Sequence, residues 1–157
     1  MAFNFTPERK KRADWLLSIY PQRRAALLPL LWLVEEQEGW LAPGAAVEVA
    51  SLLGISEAEV YEAASFYTLL NRRPVGRHHI QVCTGVCCML RGADAVLKRL
   101  EEKLGIGVGD TTPDGRFTLS AVECLGSCGT APMMRVGDEY FEDLDADKLD
   151  GLLGSFK

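Results

Sequence analysis

Five cysteines, all in the second half of the chain, constrain this sequence more than any other feature. Cys83 and Cys88 enclose four residues, Cys124 and Cys128 enclose three, and Cys87 stands beside the first pair. An odd number of cysteines grouped in tight pairs indicates metal or redox chemistry before a framework of structural disulfides. The fold is therefore expected to bring two short, sulfur-bearing loops together.

Each cysteine pair follows a predicted strand. Residues 79–83 and 117–124 read as short strands that both end at a cysteine, and residues 89–104 between them have a helical apolar pattern closed by Gly105. A right-handed strand–helix–strand crossover makes two strands parallel, so their C-terminal ends lie at the same edge of the sheet. We expect both cysteine loops at that edge.

The end of the chain completes the predicted sheet. Residues 133–136 and 139–142 flank a turn-forming Gly-Asp pair and predict a hairpin, and Asp145 begins a final helix. The element order β-α-β-β-β-α describes a mixed sheet with one parallel crossover.

The first seventy residues contain no cysteine and carry helical signals. Residues 6–8 supply an N-cap, a first-turn proline and an acid, and the helix they open is expected to end near Tyr20. Further helices are predicted at about 23–38, at 44–53, and from the capping box of residues 56–59 onward. Four short helices with brief connections predict a small bundle.

The composition is that of a folded chain, with 48% hydrophobic and 25% charged residues among 157. We predict an α+β protein with a helical bundle in residues 1–75, expected to serve in docking, and a mixed α/β domain in residues 76–157. The tryptophans Trp15, Trp32 and Trp40 lie among helical apolar positions, which favours a place in the core.

Several partners are disfavoured. The net charge of -5 argues against nucleic acid, and the one basic cluster, residues 9–12, is flanked by acids. The longest apolar run, residues 25–34, is interrupted by Pro29 and is shorter than the roughly 20 residues that span a bilayer. No secretory signal pattern is visible at the N-terminus. We therefore expect a cytoplasmic chain without direct membrane insertion.

Cysteine thiolates are soft, anionic ligands that suit iron and bridging sulfide, and a [2Fe-2S] cluster needs two ligands at each iron. Two loops with one close pair each can supply them, and Gly85, Gly126 and Gly129 let the backbone curl around sulfur.

Other interpretations remain open at this stage. A zinc site usually spaces its cysteines as C-x2-C, and a thioredoxin-type thiol pair needs the same motif, which is absent. Five inert buried thiols are a further possibility. Spacing alone leaves Cys87 as an alternative ligand to Cys88, because Cys83 and Cys87 would mirror the second pair.

At these residues the chain resembles a known family. Residues 82–92 and 123–132 resemble the two cluster loops of the thioredoxin-like [2Fe-2S] subunit of respiratory complex I, which is the E-type subunit of NADH-quinone oxidoreductase in bacteria and flavoprotein 2 in mitochondria. Further similar segments are residues 39–41, 64–67, 73–76 and 112–117.

The resemblance implies a thioredoxin-like [2Fe-2S] ferredoxin domain after a helical bundle. It implies one [2Fe-2S] cluster held by Cys83, Cys88, Cys124 and Cys128, with Cys87 left over. It also implies a one-electron carrier without a complete active site of its own.

The partners implied are a flavoprotein subunit that binds FMN and NADH and other peripheral-arm subunits, at the cytoplasmic face of the inner membrane. NAD-dependent formate dehydrogenases and NAD-reducing hydrogenases use similar subunits, and a zinc-stabilised interaction module is the third interpretation. Residues 105–109 lack the frame of a nucleotide-binding loop, and His78 and His79 are expected to be ordinary surface or edge residues.

Overall fold

The computed structural model describes residues 3–156, which divide into two compact units at Pro74–Val75. The first unit contains helices among its described residues, and the second contains helices and a four-stranded sheet. This order confirms the predicted α+β class with a mixed sheet. Within residues 3–156, no helix combines the length and apolarity needed to cross a bilayer.

The described residues of the first unit form four α-helices and one 3-10 turn. They are α1 (Pro7–Ile19), α2 (Leu27–Glu38, preceded by the 3-10 turn Arg23–Ala26), α3 (Ala45–Leu53) and α4 (Glu57–Phe66). The predicted caps are present: the Thr6 hydroxyl accepts the Arg9 N–H at 3.4 Å, and Ser56 and Glu59 form a reciprocal capping box. The predicted helix at 23–38 therefore begins with a tighter turn.

The core of this unit centres on α2, where Leu30, Leu33 and Val34 are almost wholly buried. The core prediction for the tryptophans was wrong at two positions, since Trp15 and Trp32 are 57% and 38% exposed. Residues 27–34 of α2 are themselves all apolar, so apolar side chains project from nearly every side of this helix. Such a helix gives no periodic signal for the side that faces solvent.

A half-buried carboxylate on α2 binds the last segment of this unit through hydrogen bonds. Glu35 on α2 accepts the Asn71 side-chain N–H at 2.6 Å and the Asn71 backbone N–H at 3.3 Å. The Asn71 carbonyl in turn accepts the Leu41 N–H at 2.7 Å. Burial raises the pKa of Glu35 to about 7, against the lowering effect of both bonds from Asn71.

The second unit has the sheet order β2-β1-β3-β4. Its elements are β1 (His78–Cys83), α5 (Val86–Leu90), α6 (Ala93–Leu104), β2 (Phe117–Val122), β3 (Met134–Val136), β4 (Glu139–Phe141) and α7 (Ala146–Ser155). Strands β1 and β2 are parallel, and β1–β3 and β3–β4 are antiparallel. The predicted crossover and closing hairpin are confirmed.

Two boundaries differ from prediction. The expected helix at 89–104 is two helices, because Gly92 adopts a φ of 98° between α5 and α6. Strand β2 ends at Val122, so Cys124 lies in the following loop and not at the strand end. The core between these elements includes the fully buried Ile80, Val82, Leu100 and Leu119.

The histidine prediction was wrong for His79. Its ring lies half-buried in the sheet with Nε2 at 2.8 Å from the Ser120 hydroxyl on β2. Burial lowers the pKa of His79 to about 4, and the charge of Arg135 adds to this effect. A neutral His79 therefore belongs to the pairing of β1 with β2.

Gly76 marks the entrance to β1. Its N–H donates to the Thr118 hydroxyl at 2.6 Å. A Cβ at this position would lie 2.9 Å from the Phe117 carbonyl carbon and 3.0 Å from the Gly115 carbonyl oxygen. Both obstacles are backbone atoms, so the close approach requires glycine.

We expect Gly76→Ala to lower the free energy of unfolding of the second unit by about 1–3 kcal/mol, because backbone must shift to admit the methyl group. Gly151→Ala is the matched control, since a Cβ on this helical glycine meets nothing within 4 Å. The control is expected to raise stability by about 0.5–1 kcal/mol. Denaturant unfolding measures both changes in the free energy of unfolding. Equal changes in the two variants would contradict the conclusion that position 76 requires glycine.

We expect the free energy of unfolding of the helical unit to fall as pH rises from about 4.5 to about 7, because Glu35 holds its proton more tightly in the folded chain than in the unfolded chain. His79, whose lowered pKa acts in the opposite direction, lies in the second unit. The contribution is complete below the unfolded pKa of 4.5 and is lost above the folded pKa. Glu35→Gln is expected to flatten this dependence, whereas Glu62→Gln, at an exposed α4 position, leaves it unchanged. Urea midpoints measured across this range provide the test, and an unchanged slope in Glu35→Gln contradicts it.

Candidate metal centre

The register of β1 against β2 brings the two cysteine loops to one edge. Cys83, the last residue of β1, lies opposite Val122, the last residue of β2. The Thr84 N–H continues this pairing to the Val122 carbonyl at 2.8 Å, while the Cys83 N–H donates to Met133 at 3.1 Å. Both loops therefore leave the sheet side by side, which confirms the convergence expected from the crossover.

The loops touch at Gly85. A Cβ there would lie 3.2 Å from the Cβ of Cys124 and 3.6 Å from the Sγ of Cys83. These distances leave room for a hydrogen atom and little else. Gly85 thus lets the backbone of the first loop lie directly against a cysteine of the second.

The sulfur atoms form two neighbouring groups. The Sγ of Cys83 interacts with those of Cys88 and Cys124, and the Sγ of Cys128 interacts with those of Cys124 and Cys87. Cys124 and Cys128 are 3.8 Å apart at sulfur. Two thiolates on one tetrahedral metal, with metal–sulfur bonds of about 2.3 Å, stand at roughly this separation.

All five thiols are free, and their burial differs. Cys83 and Cys88 are 2% and 1% exposed, whereas Cys87, Cys124 and Cys128 are exposed. Cys87 and Cys88 are successive residues of α5, so their side chains point about 100° apart. Cys88 consequently faces Cys83, and Cys87 faces Cys128. Within residues 3–156, His, Cys, Asp and Glu side chains form no group of three or more arranged to hold a metal ion.

Backbone N–H groups point at the sulfurs. Burial raises the pKa of Cys83, but hydrogen bonds from the N–H groups of Leu125 and Gly85, together with those from the Cys88 and Cys124 thiols, outweigh it, and the pKa lies below its ordinary value. Burial and the neighbouring Cys83 sulfur raise the pKa of Cys88, against one N–H donated by Met133. Such donors stabilise sulfur in its anionic, ligating form.

The second loop shows the same pattern. The Gly126 N–H donates to the Cys124 Sγ at 3.4 Å, and Gly126 adopts a φ of 86° that suits glycine. Hydrogen bonds from the Cys128 thiol to the Cys124 and Cys87 sulfurs raise the pKa of Cys128 to about 11, and repulsion from charge on those sulfurs adds to this effect. A positively charged metal group between these sulfurs would relieve this repulsion. The donor chemistry therefore fits a metal group that takes its thiolates in pairs, and not a single ion held by three or more of these side chains.

Side chains beyond the cysteines hold the second loop in place, and no sequence pattern predicted them. The Ser127 and Thr130 hydroxyls both donate to the Glu142 carboxylate, Thr130 at 2.6 Å. The Tyr140 hydroxyl donates to the Leu125 carbonyl at 2.9 Å. These contacts join residues 12 to 15 positions apart, and no motif connects them.

Comparison with known proteins identifies the class. The family model described as thioredoxin-like [2Fe-2S] ferredoxin matches residues 13–157. This chain belongs to that family. The predicted thioredoxin-like [2Fe-2S] domain after a helical bundle is thereby confirmed, and the family description supports a [2Fe-2S] cluster as the cofactor.

Individual relatives are more specific. A Rhizobium meliloti protein, named as the second E-type subunit of NADH-quinone oxidoreductase, is 52% identical over 138 residues, 88% of this chain and 82% of the relative. The E-type subunit of the same oxidoreductase in Rickettsia conorii is 45% identical over 93% of this chain and 90% of that protein. The Dictyostelium discoideum mitochondrial NADH dehydrogenase [ubiquinone] flavoprotein 2 is 45% identical over 99% of this chain, which spans 64% of that relative.

A solved NAD+-reducing [NiFe]-hydrogenase shares the fold. The match has a TM-score of 0.68 and 23% sequence identity, and it covers 81% of this chain and 22% of the hydrogenase chain. At this identity the likeness shows the fold alone.

The two adjacent thiols Cys87 and Cys88 can be separated by experiment. We expect Cys88→Ser to lose most bound iron, because its sulfur lies buried against Cys83, and Cys87→Ser to retain it. Iron and sulfide per chain, measured after anaerobic purification, distinguish the variants. Retained iron in Cys88→Ser with lost iron in Cys87→Ser would reverse the assignment.

Proposed function

We propose that this chain is the [2Fe-2S] electron-transfer subunit of an NADH-quinone oxidoreductase. One observation carries the proposal: two cysteine loops meet at a sheet edge in a chain 52% identical to a protein named as a subunit of that oxidoreductase. The chain acts as part of an oxidoreductase and has no complete active site of its own.

We assign the cluster ligands to Cys83, Cys88, Cys124 and Cys128. Cys83 and Cys88 lie together on the buried side, and Cys124 and Cys128 lie together on the exposed side. Two pairs of thiolates match the need of a di-iron cluster for two ligands at each iron. Cys87 neighbours Cys128 of the exposed pair, so the buried pair would be incomplete without Cys88.

When bound, the cluster supplies a centre that gains and releases one electron. The chain contributes four thiolates, whose negative charge disfavours an added electron and keeps the reduction potential low. The N–H groups of Gly85, Leu125 and Gly126 act in the opposite direction, because they donate to sulfur. The balance of these two effects sets the potential.

The proposed partner is a flavoprotein subunit that binds FMN and NADH, within a multi-subunit complex at the cytoplasmic face of the inner membrane. Two exposed apolar side chains support a partner at the sulfur-bearing end: Val86 and Leu90, one turn apart on α5, are 72% and 83% exposed. The helical unit also exposes apolar side chains, including Phe66 at 78%, and we assign it a docking role.

The cofactor can be tested directly on the isolated chain. We expect a brown protein with about two irons and two sulfides per chain and a rhombic EPR signal after reduction. Cys124→Ser is expected to lose the signal. A colourless protein that holds one zinc instead would overturn the proposal in favour of the zinc-stabilised interaction module.

The partner requires a second experiment. We expect NADH to elicit the reduced-cluster EPR signal only when the FMN-bearing subunit is present, because the proposal places the nucleotide site on that subunit. Dithionite, which needs no partner, is the control. Mass spectrometry of the co-purified complex separates the assemblies: quinone-reductase subunits support the proposal, and formate dehydrogenase or hydrogenase subunits would replace it with an alternative.

A further inference from the structure

One carboxylate anchors the loop that carries Cys128. The side chain of Glu142, just after β4, accepts hydrogen bonds from the Ser127 and Thr130 hydroxyls, which flank Cys128 in the chain. The two hydroxyl oxygens also lie 2.9 Å apart, so the three polar groups form one compact cluster around the carboxylate. This triad closes a ring of contacts around the short helical turn Cys128–Thr130.

Backbone hydrogen bonds keep Glu142 at this position. The Asp143 N–H donates to the Thr130 carbonyl at 2.8 Å, and the Leu144 N–H donates to the Pro132 carbonyl at 3.0 Å. The segment after β4 therefore lies along the second cysteine loop. These backbone bonds place residue 142 beside the loop, within reach of the Ser127 and Thr130 hydroxyls.

Glu142 also keeps its charge. The hydrogen bond from the Ser127 hydroxyl has the larger effect on the pKa of this exposed carboxyl, and the one from the Thr130 hydroxyl the smaller; both lower it. Among the ion pairs of residues 3–156, none involves Glu142. A full negative charge thus stands beside residues 123–132, a segment in which Glu123 and the thiolates are the other charged groups.

We propose that Glu142 is a positioning residue for Cys128 and that its charge lowers the reduction potential of the cluster. This inference rests on the proposed function, because it presupposes a cluster on these cysteines. A negative charge near a redox centre disfavours the added electron. Hydrogen bonds to Ser127 and Thr130, one residue before and two residues after Cys128, hold the turn that carries its sulfur.

Three variants separate the effect of the Glu142 charge from the effect of its hydrogen bonds to Ser127 and Thr130, here called the tether. Glu142→Gln keeps an oxygen that accepts from the hydroxyls and removes the charge. The double variant Ser127→Ala with Thr130→Val keeps the charge and removes the tether. Glu139→Gln removes an exposed carboxylate three residues earlier, on β4, and is the matched control.

The midpoint potential, measured by EPR-monitored titration, is expected to rise in Glu142→Gln and to stay at the wild-type value in Glu139→Gln. The rate of iron loss to a chelator is expected to stay near wild type in Glu142→Gln and to rise several-fold in the double variant. An unchanged potential in Glu142→Gln, or a wild-type rate of iron loss in the double variant, overturns the proposal.

Hydrogen exchange on the cluster-free chains covers the case of a variant that retains no iron. We expect protection to fall in residues 124–131 and to persist in β1 and β2. Loss of protection across the whole sheet would make Glu142 a residue for general stability and would overturn the positioning role. A wild-type chain that never binds iron and sulfide would instead overturn the proposed function, so the two failures are distinguishable.

Discussion

The parallel pairing of β1 with β2 is the constraint on which the rest of the second unit depends. It aligns Cys83 with Val122, the last residues of the two strands. Because of this register, the two cysteine loops begin side by side at the same edge of the sheet. A shift of one strand by one residue would turn all its side chains to the opposite face, and so would move the buried Ile80 of β1 or Leu119 of β2 out of its place in the core. The burial of these apolar residues therefore specifies the position of the sulfurs, although none of them touches a metal group.

Much of this arrangement followed from the sequence, because it depends on local signals. The caps at Thr6 and Ser56 and the hairpin rest on residue types within a few positions of one another, and the crossover follows from the order strand, helix, strand by a general rule of connection. Boundaries were less accurate. The break at Gly92 was missed because Met89 to Leu104 has a continuous apolar pattern, and a glycine within it signals a stop only once its backbone angle is known.

The side-chain contacts that hold the second cysteine loop in place could not be predicted from the sequence. Contacts such as Glu142 with Thr130 join hairpin and loop, and either residue alone resembles an ordinary polar surface position. The orientation of α5 was equally hidden, although it separates Cys87 from Cys88 and turns only the latter toward Cys83. Trp15 and Trp32 show the same limit for surfaces, because side-chain chemistry alone does not tell a core anchor from an exposed ring.

The contact at Gly85 limits how the two loops can change. The polypeptide brings Gly85 against Cys124, so the two cysteine-bearing segments meet through van der Waals contact and N–H···S bonds. A side chain at position 85 would have to displace the Cys124 segment by a few tenths of an ångström. The separation of the two cysteine loops therefore depends on a residue that itself carries no sulfur.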